Sequence, residues 1–383
     1  MKILHCIYDD KFMDGTIRVY ASDERHVNRY VYVYRKGMDT DLVYTKYPDV
    51  THVEERDFLS LAKEYDVVIL HSLKCVSQKA IASIPDTCKV VWYGWGFDLY
   101  NGYNAPIKIE LLDRKTRHFM WLHQLNKLPK KIIRFPLRPR NKRLLKKALM
   151  RIDYFSGVFP FEYELLRESR PYVHARKLDF YYGDTDFFVK KEIDTSFDEN
   201  RKDIILGNSG DPSNNHNDAI QILKEIKLPK ESRLIIPMSY GGTESYRSWV
   251  KSYAEKCFPL NAFVLSNFMP LKEYLEVISK CQAAIFFHER QQASDNILMQ
   301  LMYGAKVYLS DTCQTYHYLK EVGFIVYSLQ KEWSSIMEPM KREDVMINRK
   351  LLAELYSAET IVDRVRKINT TIEEDIKQEN LKK

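Results

Sequence analysis

No stretch of this 383-residue chain approaches the ~20 consecutive apolar residues needed to span a bilayer. The amino terminus, Met1 to Asp10, is too short an apolar run and turns acidic too soon for a signal peptide. It reads instead as a first buried strand, and the expected compartment is the cytoplasm. Cysteine is scarce. The six, Cys6, Cys75, Cys88, Cys257, Cys281 and Cys313, contain no C-x-x-C pair and no histidine cluster stands beside them. That spacing argues against a zinc site or a disulfide framework and predicts buried thiols. Internal repeats and low-complexity blocks are absent. So are a zinc finger, an RNP motif and a basic heptad array, which leaves nucleic acid without support as a partner.

What is present is enough apolar material for real cores, 45% hydrophobic residues with 13% aromatics, on a chain long enough for two domains. Short apolar runs at 2–8, 29–34, 66–71, 89–93 and 152–159 alternate with helical patterns at 54–65, 75–83, 105–122, 141–151 and 161–170. The alternation restarts with strands near 203–207, 233–237, 261–265, 282–287, 305–309 and 324–327, separated by helices at 213–226, 243–256, 271–280, 291–303 and 314–321. Two successive βα series predict an α/β chain of two doubly wound, Rossmann-like domains facing across a cleft, with a ligand at the carboxyl ends of the strands. The expected division is an amino-terminal domain over 1–175, a linker over 176–202, a second domain over 203–345 and a charged helical tail over 346–383.

Charge is unevenly placed. From Lys127 to Arg151 there are eleven lysines and arginines and no acid, interleaved with Leu128, Ile132, Ile133, Phe135, Leu137, Leu144, Leu145, Leu149 and Met150. Such a segment can lay apolar side chains into an interface while its cations meet anionic headgroups, each worth about 1 kcal/mol there. A solvated basic loop and helix is the plainer reading.

Four motifs can carry chemistry. In Ile204-Ile205-Leu206-Gly207-Asn208-Ser209-Gly210-Asp211-Pro212-Ser213-Asn214-Asn215-His216 an apolar run ends in a small polar loop and opens a helix. The glycines permit positive φ, Ser213 or Asn214 can cap the helix, and the N–H groups at its start favour an anion. Phe286-Phe287-His288-Glu289-Arg290-Gln291-Gln292 ends a second strand on the same sheet edge. Arg290 can offer a planar fork to a diphosphate, Gln291 and Gln292 add neutral donors, and Glu289 can accept from ribose hydroxyls. Pro237-Met238-Ser239-Tyr240 is a third strand end, where Tyr240 can stack on a base or sugar. In the first domain, Trp92-Tyr93-Gly94-Trp95-Gly96-Phe97-Asp98-Leu99-Tyr100 sets aromatic platforms beside a carboxylate, with His71 at the end of the preceding strand. Aromatics suit a sugar, and either Asp98 or His71 can deprotonate an acceptor hydroxyl. Asp184-Thr185-Asp186 forms a D-x-D pattern, which lies between the two series and reads as a linker turn rather than a metal holder.

Gly207-Asn208-Ser209-Gly210-Asp211, Ser213-Asn214 and His216, then Met238 and Tyr240, then Arg290-Gln291-Gln292, together with Trp95, Asp98 and Tyr100, resemble one family over about 60–330. It is the bacterial transferases of 4-acetamido-4,6-dideoxygalactose (N-acetylfucosamine), the 4-alpha-L-fucosyltransferase family, which act on lipid-linked saccharides in enterobacterial common antigen assembly. The resemblance implies a GT-B fold, a dTDP-sugar donor, an undecaprenyl-diphosphate-linked saccharide acceptor, inversion at the anomeric carbon and independence of metal. It also implies a peripheral place on the cytoplasmic face of the bacterial inner membrane. The expected mechanism is direct displacement, with Asp98 or His71 as base and the departing diphosphate held by the glycine loop and Arg290. Trp95 and Tyr100 are the expected acceptor contacts. Other readings are a transferase of the same fold using a UDP or GDP sugar for capsule or O-antigen, a non-catalytic nucleotide-sugar-binding partner, and a two-domain sugar-nucleotide epimerase.

Overall fold

The apolar runs Val67–Leu70, Asp203–Leu206 and Cys281–Phe286 are buried along their whole length. A strand that hides both faces belongs inside a parallel sheet covered by helices on either side. The computed structural model, which describes residues 1–102, 104–125, 138–182 and 200–382, places them in two such sheets.

The first sheet holds β1 (Lys2–Cys6), β2 (Val27–Tyr34), β3 (Val50–Glu54), β4 (Val67–Leu70), β5 (Lys89–Tyr93), β6 (Tyr154–Ser156) and β7 (Arg176–Lys177), in the order β3-β2-β1-β4-β5-β6-β7. The second holds β8 (Asp203–Leu206), β9 (Leu234–Pro237), β10 (Ala262–Leu265), β11 (Cys281–Phe286), β12 (Lys306–Leu309) and β13 (Tyr327–Ser328), in the order β10-β9-β8-β11-β12-β13. Every pairing is parallel. Strand order reverses at β1/β4 in one sheet and at β8/β11 in the other, and the crevice outside such a reversal is where open α/β sheets bind ligands.

The chain forms two compact units that depart from a simple sequential division. Segment 109–125 belongs with the second unit although it precedes β6. Its helix, Arg114–Leu125, stacks Phe119 on Trp249 at 4.2 Å and sets it edge-on to Tyr246. The tail divides in the same way. Helix Arg342–Tyr356 falls almost wholly in the second unit, whereas Ala358–Leu381, capped by Ser357, returns to the first. It buries Ile361, Val365, Ile368 and Ile372, each worth about 1.5–3 kcal/mol when fully removed from water. Asn369 donates to Asp23 at 3.0 Å, and Asp375 and Glu379 pair with Arg176 and Lys89. The last helix is therefore part of the first unit's core.

Two elements are absent from the pattern expected from the sequence. Helix Met13–Ala21 contains Gly15 and the β-branched Thr16, Ile17 and Val19, all poor helix formers, and is held by burial of Met13, Ile17 and Tyr20. Strand β3 is a half-exposed edge. The helix expected over 213–226 is broken. A single 3₁₀ turn, Pro212–Asn214, is followed by Asn215 at φ 50° and then by helix His216–Leu223.

Candidate functional site

In the first unit the loops after β1, β4 and β5 open at one sheet edge. Asp98 lies in the short helix Gly96–Leu99 after β5 and is 6% exposed. Its Oδ1 accepts from Ser72 Oγ at 2.7 Å, and its Oδ2 accepts from the Leu73 N–H at 3.2 Å, both from the loop after β4. Burial pushes the carboxyl up to about 6, against the lowering effect of those donors. At neutral pH such a group is ionised yet basic enough to take a proton. Beside it stands a half-buried aromatic shelf. Tyr8 lies 5.0 Å from Phe97, Phe12 lies 5.6 Å from Trp95, and Trp95 and Phe97 are stacked. Tyr8 and Phe12 join Trp95 and Phe97 only through the fold, because no motif marks the loop after β1.

His71 and Tyr100 are less open than the sequence suggested. His71 is 1% exposed, with Nε2 3.1 Å from His5 Nδ1 and Nδ1 3.2 Å from the Tyr182 hydroxyl. Both ring nitrogens are therefore occupied. Burial, then the neighbouring His5, holds its pKa well below the usual imidazole value. Tyr100 is 4% exposed, and its hydroxyl donates to Glu162 at 2.8 Å inside the unit. The D-x-D pattern at 184–186 lies outside the described residues.

In the second unit the glycine loop after β8 and the Arg290 loop after β11 sit on adjacent strands. Gly207 has φ +73°, and a Cβ there would stand 2.7 Å from His216 Nε2, so the position takes only glycine. Gly210 donates to the Tyr240 carbonyl at 2.7 Å, which draws the loop after β9 against it. The expected cap is corrected by the structure. Asp211, not Ser213 or Asn214, caps the 3₁₀ turn by accepting from the Ser213 N–H at 2.9 Å. Asn215 precedes the longer helix, with no side-chain bond to it. Ser213 Oγ stands 2.6 Å from both Asp211 Oδ1 and Gln292 Oε1, and Gln292 donates to Asn208, which donates to Tyr240. Asn214 accepts from the Asn208 N–H and donates to the Ser209 carbonyl.

Asn208, Ser213, Asn214, Tyr240 and Gln292 thus hold the three loops in one network. Tyr240 still exposes 55% of its surface, whereas Met238 is buried. Glu289 accepts from Ser310 at 2.7 Å and from Thr312 at 2.5 Å. The Arg290 guanidinium donates to the Gln291 carbonyl at 3.0 Å, and Gln291 Nε2 is 3.4 Å from Ser294 Oγ.

Sequence reading missed Asn215 and Asp218. Asn215 donates to the carbonyls of Leu111 and Phe287 and accepts from the Asp113 N–H at 2.9 Å. Asp218 accepts from the N–H groups of Lys115 and Thr116 and from Thr116 Oγ1, capping helix Arg114–Leu125 from across the unit. Asn at the left-handed position ahead of a helix is the one signal that was available.

The basic segment is corrected over 138–151, while its residues 127–137 lie outside the described residues. In helix Arg138–Arg151 the apolar residues Leu145, Ala148 and Leu149 are buried in the unit, and Leu144 is half-buried. They serve the core rather than an outside interface. Arg140, Lys142, Arg143, Lys146 and Lys147 face solvent with no carboxylate partner among the described residues, and Met150 is the one exposed apolar side chain of that helix. Among the described residues no helix is long and apolar enough to cross a membrane.

Solved structures share this architecture. An Anabaena protein, HepE, solved with UDP, superposes with TM-score 0.61 at 9% identity, over 97% of this chain and 99% of its own. The lipopolysaccharide outer core galactosyltransferase WaaB in its apo form gives 0.60 at 9% identity, over 97% and 99%. The N-terminal domain of Candida albicans trehalose-6-phosphate phosphatase gives 0.63 at 9% identity, over 97% and 96%. At that identity the likeness establishes the GT-B fold. The family described as 4-alpha-L-fucosyltransferase, glycosyl transferase group 56, matches residues 79–350, a span that includes Asp98, the glycine loop and Arg290, and the chain is a glycosyltransferase of that family.

Proposed function

We propose that this enzyme transfers a 4-acetamido-4,6-dideoxygalactose-like sugar from a dTDP-sugar to an undecaprenyl-diphosphate-linked saccharide, with inversion and without a metal. The observation that carries the reading is Asp98, a buried carboxylate raised to about 6 at a strand end, beside the shelf of Tyr8, Phe12, Trp95 and Phe97. Asp98 takes the proton of the acceptor hydroxyl as that oxygen forms its bond to the anomeric carbon. The bond from that carbon to the diphosphate breaks on the opposite face, and the nucleoside diphosphate leaves with the electron pair. Arg290 and the polar groups of the β8 loop bind the charge that builds on the leaving group.

Five solvent-facing cations on helix Arg138–Arg151 support a peripheral place on an anionic membrane, here the cytoplasmic face of the inner membrane. In the second unit, considered by itself, helix Arg114–Leu125 exposes Trp121 and Leu122 beside Arg114, Arg117 and His118, a combination that also suits a membrane surface. The UDP complex of HepE favours one second reading, a UDP sugar as donor for capsule or O-antigen.

Thermal shifts with dTDP, UDP and GDP, each with and without EDTA, test the donor. Selective stabilisation by dTDP that survives EDTA is expected. Preference for UDP or GDP removes the dTDP assignment, and loss of the shift with EDTA removes metal independence. Product analysis with a lipid-linked acceptor then tests transfer, and the configuration of the product tests inversion.

A further inference from the structure

His71 is a conspicuous strand-end imidazole, and its surroundings give it work other than taking a proton. One end of its hydrogen-bond chain is the Tyr20 carbonyl, which can only accept. Asn28 Nδ2 donates to that carbonyl at 3.2 Å, so Asn28 turns its Oδ1 toward His5. Donor counting from there fixes the tautomers of both neutral imidazoles. His5 Nε2–H donates to Asn28 Oδ1 at 3.0 Å, which leaves His5 Nδ1 as an acceptor. His71 Nε2–H donates to His5 Nδ1 at 3.1 Å, which leaves His71 Nδ1 as an acceptor. The Tyr182 hydroxyl stands 3.2 Å from that nitrogen and shares its one proton between it and the His71 carbonyl, to which it donates at 3.1 Å. Four side chains on four separate segments are thus joined in one direction.

The open end of this chain is the aromatic shelf. Tyr182 packs on Trp95 with ring centroids 4.1 Å apart, and its hydroxyl also lies 3.1 Å from the His71 carbonyl. The same carbonyl accepts from Trp95 Nε1 at 2.6 Å. Trp95 is therefore gripped on its face by a ring that His71 orients and on its edge by the His71 main chain. The next two residues, Ser72 and Leu73, supply the donors to Asp98.

We infer that His71 is a positioning residue, the centre of a directed chain from Tyr182 through His5 and Asn28 to the Tyr20 carbonyl, which clamps Trp95 as the acceptor platform. This rests on the proposed transferase reading for what Trp95 faces, but the clamp itself is a property of the first unit alone. Since His71 Nδ1 is already an acceptor and Nε2 already a donor, the ring has no vacancy for a substrate proton.

The test uses the full-length protein with Tyr182→Phe, His71→Leu and His71→Asn. Tyr182→Phe removes the hydroxyl and leaves Ser72, Leu73 and Asp98 untouched. His71→Leu removes both ring nitrogens, whereas the amide oxygen of His71→Asn can still accept from Tyr182. The expected result is a KM for the lipid-linked acceptor raised about 10-fold in Tyr182→Phe and His71→Leu, with kcat within about 3-fold of wild type. His71→Asn should restore most of the loss. The Tyr182→Phe/His71→Leu double variant should be little worse than either single variant, since both cut the same chain.

Acrylamide quenching of the Trp95 fluorescence component, taken as the difference from a Trp95→Phe background, should rise in Tyr182→Phe and not in His71→Asn. This readout needs no turnover, so a failure to find transfer would count against the proposed function and not against the clamp. A fall in kcat of about 100-fold or more in His71→Asn with KM unchanged would assign His71 as a base and overturn the inference. Unaltered Trp95 quenching in both Tyr182→Phe and His71→Leu would overturn it as well.

Discussion

Replacing Asp98 by asparagine should cost the enzyme its chemistry and make the fold more stable. Burial raises the carboxyl from 3.8 to about 6, so the folded chain holds the charged form at a disadvantage relative to the unfolded one. A tenfold change in proton affinity is worth about 1.4 kcal/mol, which makes the penalty on the order of 3 kcal/mol when Asp98 is ionised. The sign follows from the raised value. The stability associated with protonated Asp98 is fully present below pH 3.8 and is lost as pH rises through about 6. Asparagine carries no such penalty and fits the same partners. Its carbonyl can accept from Leu73 N–H and its amide can donate to Ser72 Oγ, which already accepts from Lys74 N–H at 3.0 Å; the buried Ser72 proton then loses its acceptor, which offsets part of the gain.

Asp98→Asn should therefore raise the unfolding free energy at pH 8 by up to about 3 kcal/mol, with the gain vanishing toward pH 4. Turnover should fall by roughly 10²- to 10⁴-fold with nucleotide affinity unchanged, the signature of a lost general base. In the wild type, kcat/KM should fall with unit slope below about pH 6. Denaturant titrations at several pH values, paired with initial rates, measure both halves. If Asp98→Asn is destabilised at pH 8, or retains more than about a tenth of wild-type turnover, the assignment of Asp98 as a buried base is wrong.

Three further outcomes follow from particular contacts. Gly207→Ala introduces a Cβ at φ +73° that would stand 2.7 Å from His216 Nε2, and should cost at least ~1–2 kcal/mol in thermal unfolding while abolishing the nucleotide-induced shift. Asp218→Ala strips the cap from helix Arg114–Leu125, leaving the buried Thr116 N–H and hydroxyl unpaired, and should lower the urea midpoint by the equivalent of ~2–4 kcal/mol, with Asp218→Asn losing less. Replacing Lys142, Arg143, Lys146 and Lys147 by glutamine should weaken sedimentation with phosphatidylglycerol vesicles by ~10²-fold or more at low salt without altering nucleotide binding, whereas undiminished sedimentation would dissociate this helix from the membrane.

The sequence made the strand ends legible because they obey strong local rules. Leu206, Pro237 and Phe286 each end a fully buried run, and the glycines and polar residues that follow have no place inside a sheet. Adjacency of the Gly207 and Arg290 loops required only the parallel-sheet assumption, and β8 and β11 do pair. Long-range polar contacts were not legible. Nothing local in Asp218 says that it will cap a helix about a hundred residues earlier, and nothing in Tyr8 or Phe12 says that they will meet Phe97 and Trp95. Helix Arg138–Arg151 misled for a physical reason, since an amphipathic helix has the same pattern whether its apolar face meets lipid or its own core. Leu145 and Leu149 chose the core.

The second unit makes one more commitment, about charge at the leaving group. Between Gly207 and His216, and again between Phe286 and Asn296, Arg290 is the sole lysine or arginine. Two histidines stand in the same loops, and either would add a cation if protonated. Burial opposes that. His216 is held to about 3, against the pull of Asp211, and His288 to about 3 by burial and by the Arg290 charge. A lowered imidazole value means that folding keeps the neutral ring, with a stability that is full above the ordinary value of 6.5 and is lost as pH falls from there through about 3.

The diphosphate should thus meet guanidinium charge, from Arg290 and from Arg247 against Gly210, and neutral donors at every pH from 5 to 8, and affinity for an intact nucleotide sugar, whose diphosphate bears no group titrating in that range, should stay level. Calorimetric titration with dTDP-glucose measures it. A tenfold loss of affinity between pH 5.5 and 7.5 in wild type, absent from His216→Asn or His288→Asn, would mean that a protonated histidine binds the phosphate. Arg290 would then no longer be the charge that defines the site. With a level profile and a loss of about 10²-fold in Arg290→Ala, that charge is fixed, and Asp98 is left as the group that gives the reaction its dependence on pH.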